Sequence, residues 1–540
     1  MSSNVIDVCG LNIWASSESG QPRHIVKNVS FTLPRGQCLA LVGESGSGKS
    51  LTARSLVGLV GDGLHVQAET LGLHGETLLG RSDGWWRRVR GSKVGFILQD
   101  ALVSLDPLRP VGKEIAEALA LHGWGNAASR QQKVHALLEE VGVPQAAYRA
   151  RQRPGELSGG LRQRALIASA IALHPDVLIA DEPTTALDVT VQAQVLEVLR
   201  QMLDRGTSVI LISHDLAVVA KIADQILVMQ GGVIVEAGTA QQVLQQPKHP
   251  YTQGLINAIP SEHTKGQRLS GNASGEPAPA AAKSTEVLLE ARHIVKRFRG
   301  HSAVNDVSFT LKRGETLGIV GESGSGKTTL SRIALALESP DSGEVLFAGQ
   351  PWSRASAAHQ RAIRRQIAVV YQDPLSSFDP RWRVADILLD AIALDRHAPT
   401  QTPRERAISL LQSVGLGAEH LNQWPARMSG GQRQRVAIAR AIATHPQIIV
   451  LDEAVSALDV IIQAQILDLL SDLQAQLGVS YLFISHDLGV IHHMSDRVLV
   501  MQNGQAVEQG TADEVFYRPR HPYTQTLLAA LPRLAALETA

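Results

Sequence analysis

The sequence carries GESGSGKS at residues 43–50 and repeats it as GESGSGKT at residues 321–328. This spacing is typical of a phosphate-binding loop, whose glycines let backbone N–H groups point at one anion in front of a helix N-terminus. The lysine of such a loop can bridge the β- and γ-phosphates, and its last hydroxyl can bind Mg²⁺. Each copy follows an apolar run and precedes a helical pattern. The sequence therefore predicts two polyphosphate sites, which a chance glycine turn does not explain.

Three further motifs return at nearly the same distance. They are LSGGLRQR (157–164) with MSGGQRQR (428–435), ISHDL (212–216 and 484–488), and HPYTQ (249–253 and 521–525). The last two pairs share an offset of 484 − 212 = 272 residues. A repeat of this length has the size of a domain and is too long for a solenoid unit. The chain is therefore predicted to be a tandem duplication.

The stretch between the two halves differs from both in composition. Residues 261–285 contain one large aliphatic side chain, Leu269, among many Ala, Gly, Ser and Pro residues. Such a stretch cannot bury a core and is predicted to be a flexible linker. The expected domains are residues 1–260 and 286–540.

Each half alternates short apolar strands with helices. In the first half, strands are predicted over 37–42, 176–181 and 208–213, and helices over 51–60 and 189–203. This alternation indicates an α/β fold with a mostly parallel sheet covered on both faces. Helical patterns at about 112–175 and 384–446 predict an inserted helical subdomain in each half.

The composition excludes several classes of protein. Lys plus Arg and Asp plus Glu are both 51, so the net charge is 51 − 51 = 0, which argues against a general nucleic-acid coat protein. Two cysteines cannot form a zinc ribbon, a four-cysteine iron–sulfur site or a disulfide framework. The N-terminus lacks a secretory signal pattern, and no run reaches 18 apolar residues, so a membrane span is not expected.

Two Asp-Glu pairs end apolar runs in corresponding places. They are Asp181 with Glu182 and Asp452 with Glu453. A strand-end Asp beside a phosphate loop can hold the Mg²⁺ shell, and the following Glu is placed to act as general base toward a water. A solvated pair that caps a turn is the alternative, which the duplication disfavours.

Two histidines, His214 and His486, follow strands that end in Ile-Ser. An imidazole there could hold the γ-phosphate and the attacking water, whereas the simpler interpretation is a turn histidine that caps. The duplication of ISHDL favours the functional interpretation.

The LSGG and MSGG motifs precede helices rich in Ala and Ile. A Ser-Gly-Gly helix start is another anion-binding N-terminus. Because neither half needs a second phosphate site for its own nucleotide, each motif is expected to serve the γ-phosphate bound by the other half.

Together these duplicated motifs resemble the ATP-binding cassette (ABC) ATPases over nearly the whole chain. The resemblance implies two tandem P-loop (RecA-like) nucleotide-binding domains, each with an inserted helical subdomain and a small antiparallel β part. It further implies a head-to-tail sandwich around two ATPs. One ATP would lie on Gly43–Ser50 and meet Ser429, Gly430, Gly431 and Gln432. The other would lie on Gly321–Thr328 and meet Ser158, Gly159, Gly160 and Leu161.

The resemblance also assigns roles to residues outside these motifs. Gln99 and Gln372 would sense Mg²⁺ and contact transport subunits, and Asp188 and Asp459 would couple the two sites. Trp14 and Phe298 are candidate adenine-stacking aromatics, although packing is nearly as good an explanation. The loop residues implied to bind ATP are Gly43, Glu44, Ser45, Gly46, Ser47, Gly48, Lys49, Ser50, Gly321, Glu322, Ser323, Gly324, Ser325, Gly326, Lys327 and Thr328. The residues implied to hold Mg²⁺ are Ser50, Thr328, Gln99, Gln372, Asp181 and Asp452.

The segments QDALVSLDP (99–107) and QDPLSSFDP (372–380), with the HPYTQ endings, resemble the dipeptide, oligopeptide and nickel importers. Their two ATPase subunits are usually separate, and here both types are fused. Leu161 replaces the usual Gln or Met, and Ala454 replaces a Pro. The cysteine-rich tail of many relatives is missing, so no iron–sulfur cluster is expected.

The expected function is therefore the ATP-hydrolysing subunit of a bacterial importer for peptides or peptide-like solutes. The resemblance implies two membrane permease subunits, a periplasmic or surface solute-binding protein, and peripheral attachment to the cytoplasmic face of the inner membrane. No nucleic acid is expected as a partner. A cytosolic tandem ABC protein that acts on ribosomes is the alternative, and the short small-residue linker and zero net charge disfavour it.

Overall fold

The chain folds into two compact units that meet in sequence between Ile256 and Asn257. The computed structural model describes residues 4–16, 22–99, 101–184, 187–261, 263–271, 284–298, 300–395 and 401–530. The first unit contains the following strands: β1 (Asn4–Ala15), β2 (Arg23–Pro34), β3 (Cys38–Val42), β4 (Leu64–Gln67), β5 (Thr70–Leu73), β6 (Glu76–Thr77), β7 (Val94–Ile97), β8 (Val177–Asp181), β9 (Ser208–Ile212), β10 (Gln225–Gln230) and β11 (Val233–Thr239). Its helices are α1 (Lys49–Ser55), α2 (Asp83–Val89), α3 (Ala101–Ser104), α4 (Val111–Leu121), α5 (Ala127–Glu140), α6 (Ala146–Arg149), α7 (Gly159–Ala170), α8 (Val189–Asp204), α9 (Leu216–Ile222), α10 (Ala240–Gln245) and α11 (Pro250–Asn257).

The second unit repeats this order with small differences. Its strands are β12 (Val287–Phe298), β13 (His301–Lys312), β14 (Thr316–Val320), β15 (Ser342–Phe347), β16 (Gln350–Pro351), β17 (Ile367–Tyr371), β18 (Ile448–Asp452), β19 (Ser480–Ile484), β20 (Arg497–Gln502) and β21 (Gln505–Thr511). Its helices are α12 (Lys327–Ala334), α13 (Ala357–Arg364), α14 (Val384–Ala393), α15 (Pro403–Ser413), α16 (Gly430–Ile442), α17 (Val460–Leu477), α18 (Leu488–Met494), α19 (Ala512–Tyr517) and α20 (Pro522–Ala529).

Each unit is built on a six-stranded mixed sheet. The order is β11-β10-β3-β9-β8-β7 in the first unit and β17-β18-β19-β14-β20-β21 in the second. Five strands are parallel, and β11 or β21 adds an antiparallel edge. The central strands, such as β3, are buried along their whole length, as expected for a parallel sheet covered on both faces. The predicted α/β fold is confirmed.

The carboxyl ends of the parallel strands meet at one edge of the sheet, where ligands bind in open α/β folds. The phosphate loop leaves β3, Asp181 ends β8, and His214 follows β9. Because β9 lies between β3 and β8, one strand separates the loop from the aspartate. The same arrangement recurs around β14, β18 and β19.

A smaller antiparallel sheet packs beside each mixed sheet. Its order is β2-β1-β5-β6 in the first unit, with β4 also on β1, and β13-β12-β15-β16 in the second. The apolar faces of this sheet, of α1 and of β3, β8 and β9 form one buried cluster in the first unit. This sheet corresponds to the small antiparallel part implied by the family resemblance.

The helix after the first phosphate loop is shorter than the sequence pattern predicts. A helix was expected over 51–60, whereas α1 covers Lys49–Ser55. Gly58 has φ 62°, and its Cα lies so close to the buried Trp86 ring that a Cβ would approach Cε2 to 2.4 Å. A glycine in the left-handed conformation terminates a helix, so the helix stops before Gly58 although the apolar pattern continues.

The first part of the predicted flexible linker lies bound to the second unit. Residues 260–261 and 263–271, here called the bound segment, run along α17 and α18. The Arg268 guanidinium makes two hydrogen bonds to Asp472 (2.7 and 3.2 Å), and Leu269 is buried. The Asp468 carboxylate accepts from the backbone N–H groups of Leu269 and Ser270 at 3.1 and 2.9 Å. Residues 262 and 272–283 of the predicted linker lie outside the described residues.

Among the described residues, the helices are too short or too polar for any of them to traverse a lipid bilayer.

Candidate functional site

The phosphate loop of each unit passes close to the strand beside it. Gly43 has φ 145°, and a Cβ on it would lie 2.1 Å from the carbonyl oxygen of Met229. Gly321 has φ 157°, and its Cβ would lie 2.2 Å from the carbonyl oxygen of Met501. No side chain fits in this space, so the close approach of loop and strand requires glycine at both positions.

The loop lysines are buried beneath the loops. Lys49 Nζ donates to the carbonyl oxygens of Gly43 and Glu44, both at 2.8 Å. Lys327 Nζ makes the equivalent bonds, at 2.7 Å to the Gly321 carbonyl and 2.9 Å to the next one. Each ammonium group is thus fixed at the mouth of the loop, where the sequence predicts that it meets the β- and γ-phosphates.

The predicted Mg²⁺ ligands of the first unit lie side by side. Ser50 Oγ donates to Asp181 Oδ1 at 2.9 Å. The Asp181 side chain is fully buried, and its Oδ2 has no hydrogen-bond partner among the described residues. Burial raises the pKa of Asp181, although the Ser50 hydroxyl favours its charged form. A hydroxyl beside a buried carboxylate oxygen is an oxygen donor set that fits Mg²⁺, which takes one or two protein ligands together with phosphates and water.

The second unit holds its aspartate differently. Ser331 Oγ lies 3.4 Å from Asp452 Oδ2 and donates to the Thr328 carbonyl at 2.9 Å. Burial raises the pKa of Asp452, and the neighbouring Glu453 charge adds to this effect. Ala53 occupies the position of Ser331 in the first unit. No motif marks Ser331 in the sequence, and the only signal for it is the Ala53/Ser331 difference between the two aligned halves.

The two predicted general bases sit on a strained backbone. Glu182 and Glu453 both have φ 51°, in the left-handed region that non-glycine residues rarely adopt. Each N–H donates at 2.9 Å to the neighbouring strand, to Ile212 and Ile484 respectively. These bonds hold the strained turn in place and fix the direction of the carboxylates at the end of the sheet.

Each of these glutamates contacts the predicted histidine. Glu182 Oε1 lies 3.5 Å from His214 Nδ1, and Glu453 Oε2 lies 3.6 Å from His486 Nδ1. Burial opposes protonation of both imidazoles, but the adjacent carboxylates outweigh it and raise the pKa of each histidine. The contact with His486 also holds the pKa of Glu453 below its usual value. The structure therefore brings base and histidine together in both units.

The two glutamines make different contacts. Gln99 Nε2 donates to Glu182 Oε2 at 2.8 Å, whereas Gln372 Nε2 donates to Ser456 Oγ at 3.2 Å. Gln99 and Gln372 follow β7 and β17, the strands next to those that end in Asp181 and Asp452. The family resemblance implies an Mg²⁺-sensing role for them, and that role stays a prediction.

The Ser-Gly-Gly motifs begin α7 and α16. Ser158 and Ser429 are the N-cap residues, and each hydroxyl accepts the N–H three residues on, at 3.4 and 3.2 Å. In the second unit Gln432 Oε1 also accepts a hydrogen bond from the Ser429 N–H, and the two reciprocal bonds form a capping box. Leu161 has no side-chain oxygen that could accept the second bond. The first unit therefore has only one of the two capping hydrogen bonds.

The second glycine of each motif allows close packing on the following helix. A Cβ on Gly160 would lie 2.7 Å from Val191, and one on Gly431 would lie 2.4 Å from Ile462. Asp188 and Asp459 are the N-cap residues of these following helices. Their carboxylates accept the backbone N–H groups of Val191 and Ile462, at 2.9 and 3.2 Å respectively. The coupling role of the two aspartates stays a prediction from the sequence. The contact of each Ser-Gly-Gly motif with the ATP bound by the other half also stays a prediction.

The candidate adenine-stacking aromatics already have partners. The Trp14 ring stacks on His24, with centroids 4.6 Å apart and planes inclined by 12°. Phe298 is 46% exposed and has Lys296 Nζ 5.2 Å from its ring centroid. One face of the indole is therefore covered, and stacking on adenine stays a prediction for both residues.

The HPYTQ motif places a tyrosine against each phosphate loop. The Glu44 N–H donates to Tyr251 Oη at 2.8 Å, and the Glu322 N–H donates to Tyr523 Oη at 3.1 Å. From the sequence, HPYTQ is a marker of the duplication and of the importer type, and it predicts no contact with the phosphate loop. Its exact duplication was the signal that could have indicated a site contact.

Known proteins resemble this chain over most of its length. The family model described as ABC transporter matches residues 26–185 and 304–456. The model described as oligopeptide/dipeptide transporter, C-terminal region, matches residues 235–285 and 507–539. "Glutathione import ATP-binding protein GsiA" of Salmonella paratyphi A is 43% identical, over 98% of this chain and 90% of that protein. The protein of the same name from Escherichia coli K12 is also 43% identical with the same coverage.

The fold and site thus define a tandem P-loop ATPase built from two ATP-binding cassettes. The chain belongs to the ABC transporter family, in the branch that carries the oligopeptide/dipeptide transporter C-terminal region. It is an ATP hydrolase of that family, as the sequence analysis predicted. Nothing in these matches supports the ribosomal alternative.

Proposed function

We propose that both units bind and hydrolyse ATP at their phosphate loops to energise the import of a peptide-like solute. The observation that carries the proposal is that each unit holds a full set of groups at one sheet edge. The set consists of a loop lysine, a loop Ser or Thr, a strand-end aspartate and a contacting glutamate–histidine pair. Two full sets favour two active sites over one active and one regulatory site.

The residues present can divide the hydrolysis between them. Glu182 and Glu453 would take a proton from the water that attacks the γ-phosphorus, because each carboxylate is held at a strand end beside the loop. His214 and His486, with raised pKa values, would place positive charge near the γ-phosphate as ADP leaves. Mg²⁺ bound at Ser50 with Asp181, and at Thr328 with Asp452, would neutralise charge on the β- and γ-phosphates.

The transport partners follow from the family. The curated relatives are named for glutathione import, and the C-terminal region is described for oligopeptide and dipeptide transporters. We infer two membrane permease subunits, a periplasmic or surface solute-binding protein, and a peripheral position on the cytoplasmic face of the inner membrane. Glutathione and short peptides are the solutes that this inference favours.

The hydrolytic part is tested by Glu182→Gln, Glu453→Gln and the double variant. Loss of a general base lowers turnover by about 10²- to 10⁴-fold, so the double variant should lose ATPase activity while it retains ATP binding. Glu139→Gln changes an exposed glutamate of the helical subdomain and serves as the matched control. Wild-type turnover in the double variant would show that these carboxylates are not the bases.

The transport part is tested by co-purification and uptake. The full chain should recover multi-span membrane proteins from detergent extracts, and membrane vesicles containing the assembly should take up labelled glutathione or dipeptide when ATP is supplied. Vesicles with the double glutamine variant serve as the control. Recovery of ribosomes without membrane proteins would overturn the importer assignment.

A further inference from the structure

We propose that Tyr251 and Tyr523 are positioning residues that fix the first peptide of each phosphate loop. Through them, the HPYTQ segment becomes part of the nucleotide site. The inference rests on the nucleotide sites proposed above, and it assigns a task to a motif that the hydrolytic mechanism does not use. Both tyrosines act through the loop backbone and neither needs to touch the nucleotide.

The contact falls on one particular peptide group. The peptide that joins Gly43 to Glu44 presents its carbonyl oxygen to Lys49 Nζ at 2.8 Å and its N–H to Tyr251 Oη at 2.8 Å. The second unit repeats this arrangement, with 2.7 Å from Lys327 Nζ to the carbonyl and 3.1 Å from the N–H to Tyr523 Oη. A lysine on one side and a tyrosine on the other therefore set the orientation of the peptide plane.

The orientation of this peptide benefits from a restraint outside the loop. The peptide follows a glycine with positive φ, and a residue without Cβ leaves the next peptide plane free to rotate. The lysine on its carbonyl side is also the group expected to engage phosphate. When that ammonium shares itself with a phosphate, the tyrosine still holds the N–H side, so the loop keeps its shape.

The tyrosine can do this because its own segment is rigidly held. In the first unit the Glu236 carboxylate of β11 accepts from the N–H groups of Lys248 and His249, at 2.8 and 3.0 Å. His249 Nδ1 then accepts the Tyr251 N–H at 3.2 Å and so begins α11. Burial opposes charge on Glu236, but the Thr252 hydroxyl and these two amides outweigh it and hold the pKa of Glu236 low.

The second unit holds Tyr523 through the corresponding residues and hydrogen bonds. Glu508 of β21 accepts from the N–H groups of Arg520 and His521, at 2.8 and 3.1 Å. His521 Nδ1 accepts the Tyr523 N–H at 3.2 Å. The glutamine of each motif closes the turn by donating to the proline carbonyl six residues earlier, at 2.9 Å and 3.0 Å. The histidine and the glutamine of each HPYTQ motif thus hold the segment that places the tyrosine hydroxyl on the loop.

The test removes only the hydroxyl. Tyr251→Phe, Tyr523→Phe and the double variant keep the ring and lose the acceptor for the loop N–H. A neutral hydrogen bond of this kind corresponds to about a 2- to 10-fold change in an equilibrium constant. The dissociation constant for Mg·ADP and the KM for ATP should rise by this factor in the double variant, while kcat changes less than twofold. Tyr148→Phe removes an exposed hydroxyl in the helical subdomain and is the matched control.

Hydrogen exchange provides a readout that simple packing would not move. Exchange of the peptide that covers residues 43–50 should accelerate in Tyr251→Phe, whereas the thermal midpoint stays at the wild-type value. Wild-type exchange and affinity in both phenylalanine variants would overturn the proposal. Lys49→Ala with Lys327→Ala separates the two levels of inference. If that lysine double variant loses binding while the phenylalanine variants do not, the nucleotide sites stand and the tyrosine role is wrong. If it also binds normally, the nucleotide sites themselves are wrong.

Discussion

The bound segment supplies a prediction that separates it from a free linker. Asp468 of α17 is buried, and its carboxylate accepts three hydrogen bonds from the segment. Two come from the N–H groups of Leu269 and Ser270, and the third comes from Ser270 Oγ at 2.5 Å. Replacing Asp468 by Asn keeps the shape of the side chain but turns one acceptor oxygen into an NH₂ donor. The amide oxygen can stay with Ser270, whose N–H and hydroxyl both point to Oδ2, so the NH₂ group faces the Leu269 N–H.

The size of the effect follows from these contacts. A hydrogen bond to a charged group contributes about 1.5–3 kcal/mol and one between neutral groups about 0.5–1.5 kcal/mol. Asp468→Asn breaks the bond from Leu269 and leaves only bonds to a neutral acceptor from Ser270, so we expect the local opening free energy of the segment to fall by about 2–4 kcal/mol. At 1.36 kcal/mol per tenfold, the open population should rise by about 30- to 900-fold.

Limited trypsin digestion measures this population, because cleavage tracks the open form when opening is fast. The expected product is cleavage after Arg268, identified by mass spectrometry. Asp472→Asn, which loses a partly exposed ion pair, should accelerate the same cleavage less than tenfold. Asp204→Asn makes the same chemical change at the exposed end of α8 and should have no effect. Cleavage of Asp468→Asn at the wild-type rate would refute the assignment of these contacts.

Three further predictions concern charged groups of the sites. Because the Glu453 carboxylate outweighs burial, Glu453→Gln should lower the pKa of His486 below its ordinary 6.5, as followed by NMR of labelled histidine; an unchanged value would contradict the pairing. Because the pKa of His486 is raised in the folded protein, the Glu453–His486 pair stabilises the fold at pH values below the unfolded-state pKa of the histidine. This contribution is lost as the pH rises through the folded-state pKa. The thermal midpoint of the wild type should therefore exceed that of Glu453→Gln by more at pH 6.5 than at alkaline pH. An equal difference at both pH values would count against the pairing. Asp181→Asn should raise the Mg²⁺ concentration for half-maximal activity at least about tenfold while ATP binding without metal is unchanged; a normal Mg²⁺ requirement would exclude Asp181 as a ligand.

Much of the architecture could be predicted from motifs that occur twice. The strand over 208–213, the helix over 189–203 and the helical subdomains agree with the structure because their apolar patterns are long and the elements are buried. The proximity of Asp181 to Ser50 and of Glu182 to His214 also follows from sequence, because carboxyl ends of parallel strands share one edge.

Other features depend on contacts that no local pattern records. The length of α1 is set by Gly58 against the Trp86 ring, which comes from a distant helix. The bound segment looks like a linker in composition, yet one buried leucine and two aspartates of α17 are enough to hold it. The tyrosine contacts join residues 207 and 201 positions apart in sequence, so only the folded chain reveals them.

The left-handed backbone at Glu182 and Glu453 has a consequence for how this protein can change. A non-glycine residue in that conformation costs about 1–2 kcal/mol, which glycine would not pay. A glycine at either position would relax the turn, but it would also remove the carboxylate and its contact with the histidine. Backbone strain and the carboxylate therefore go together in each half, so neither site can lose the strain through a glycine and keep its predicted base.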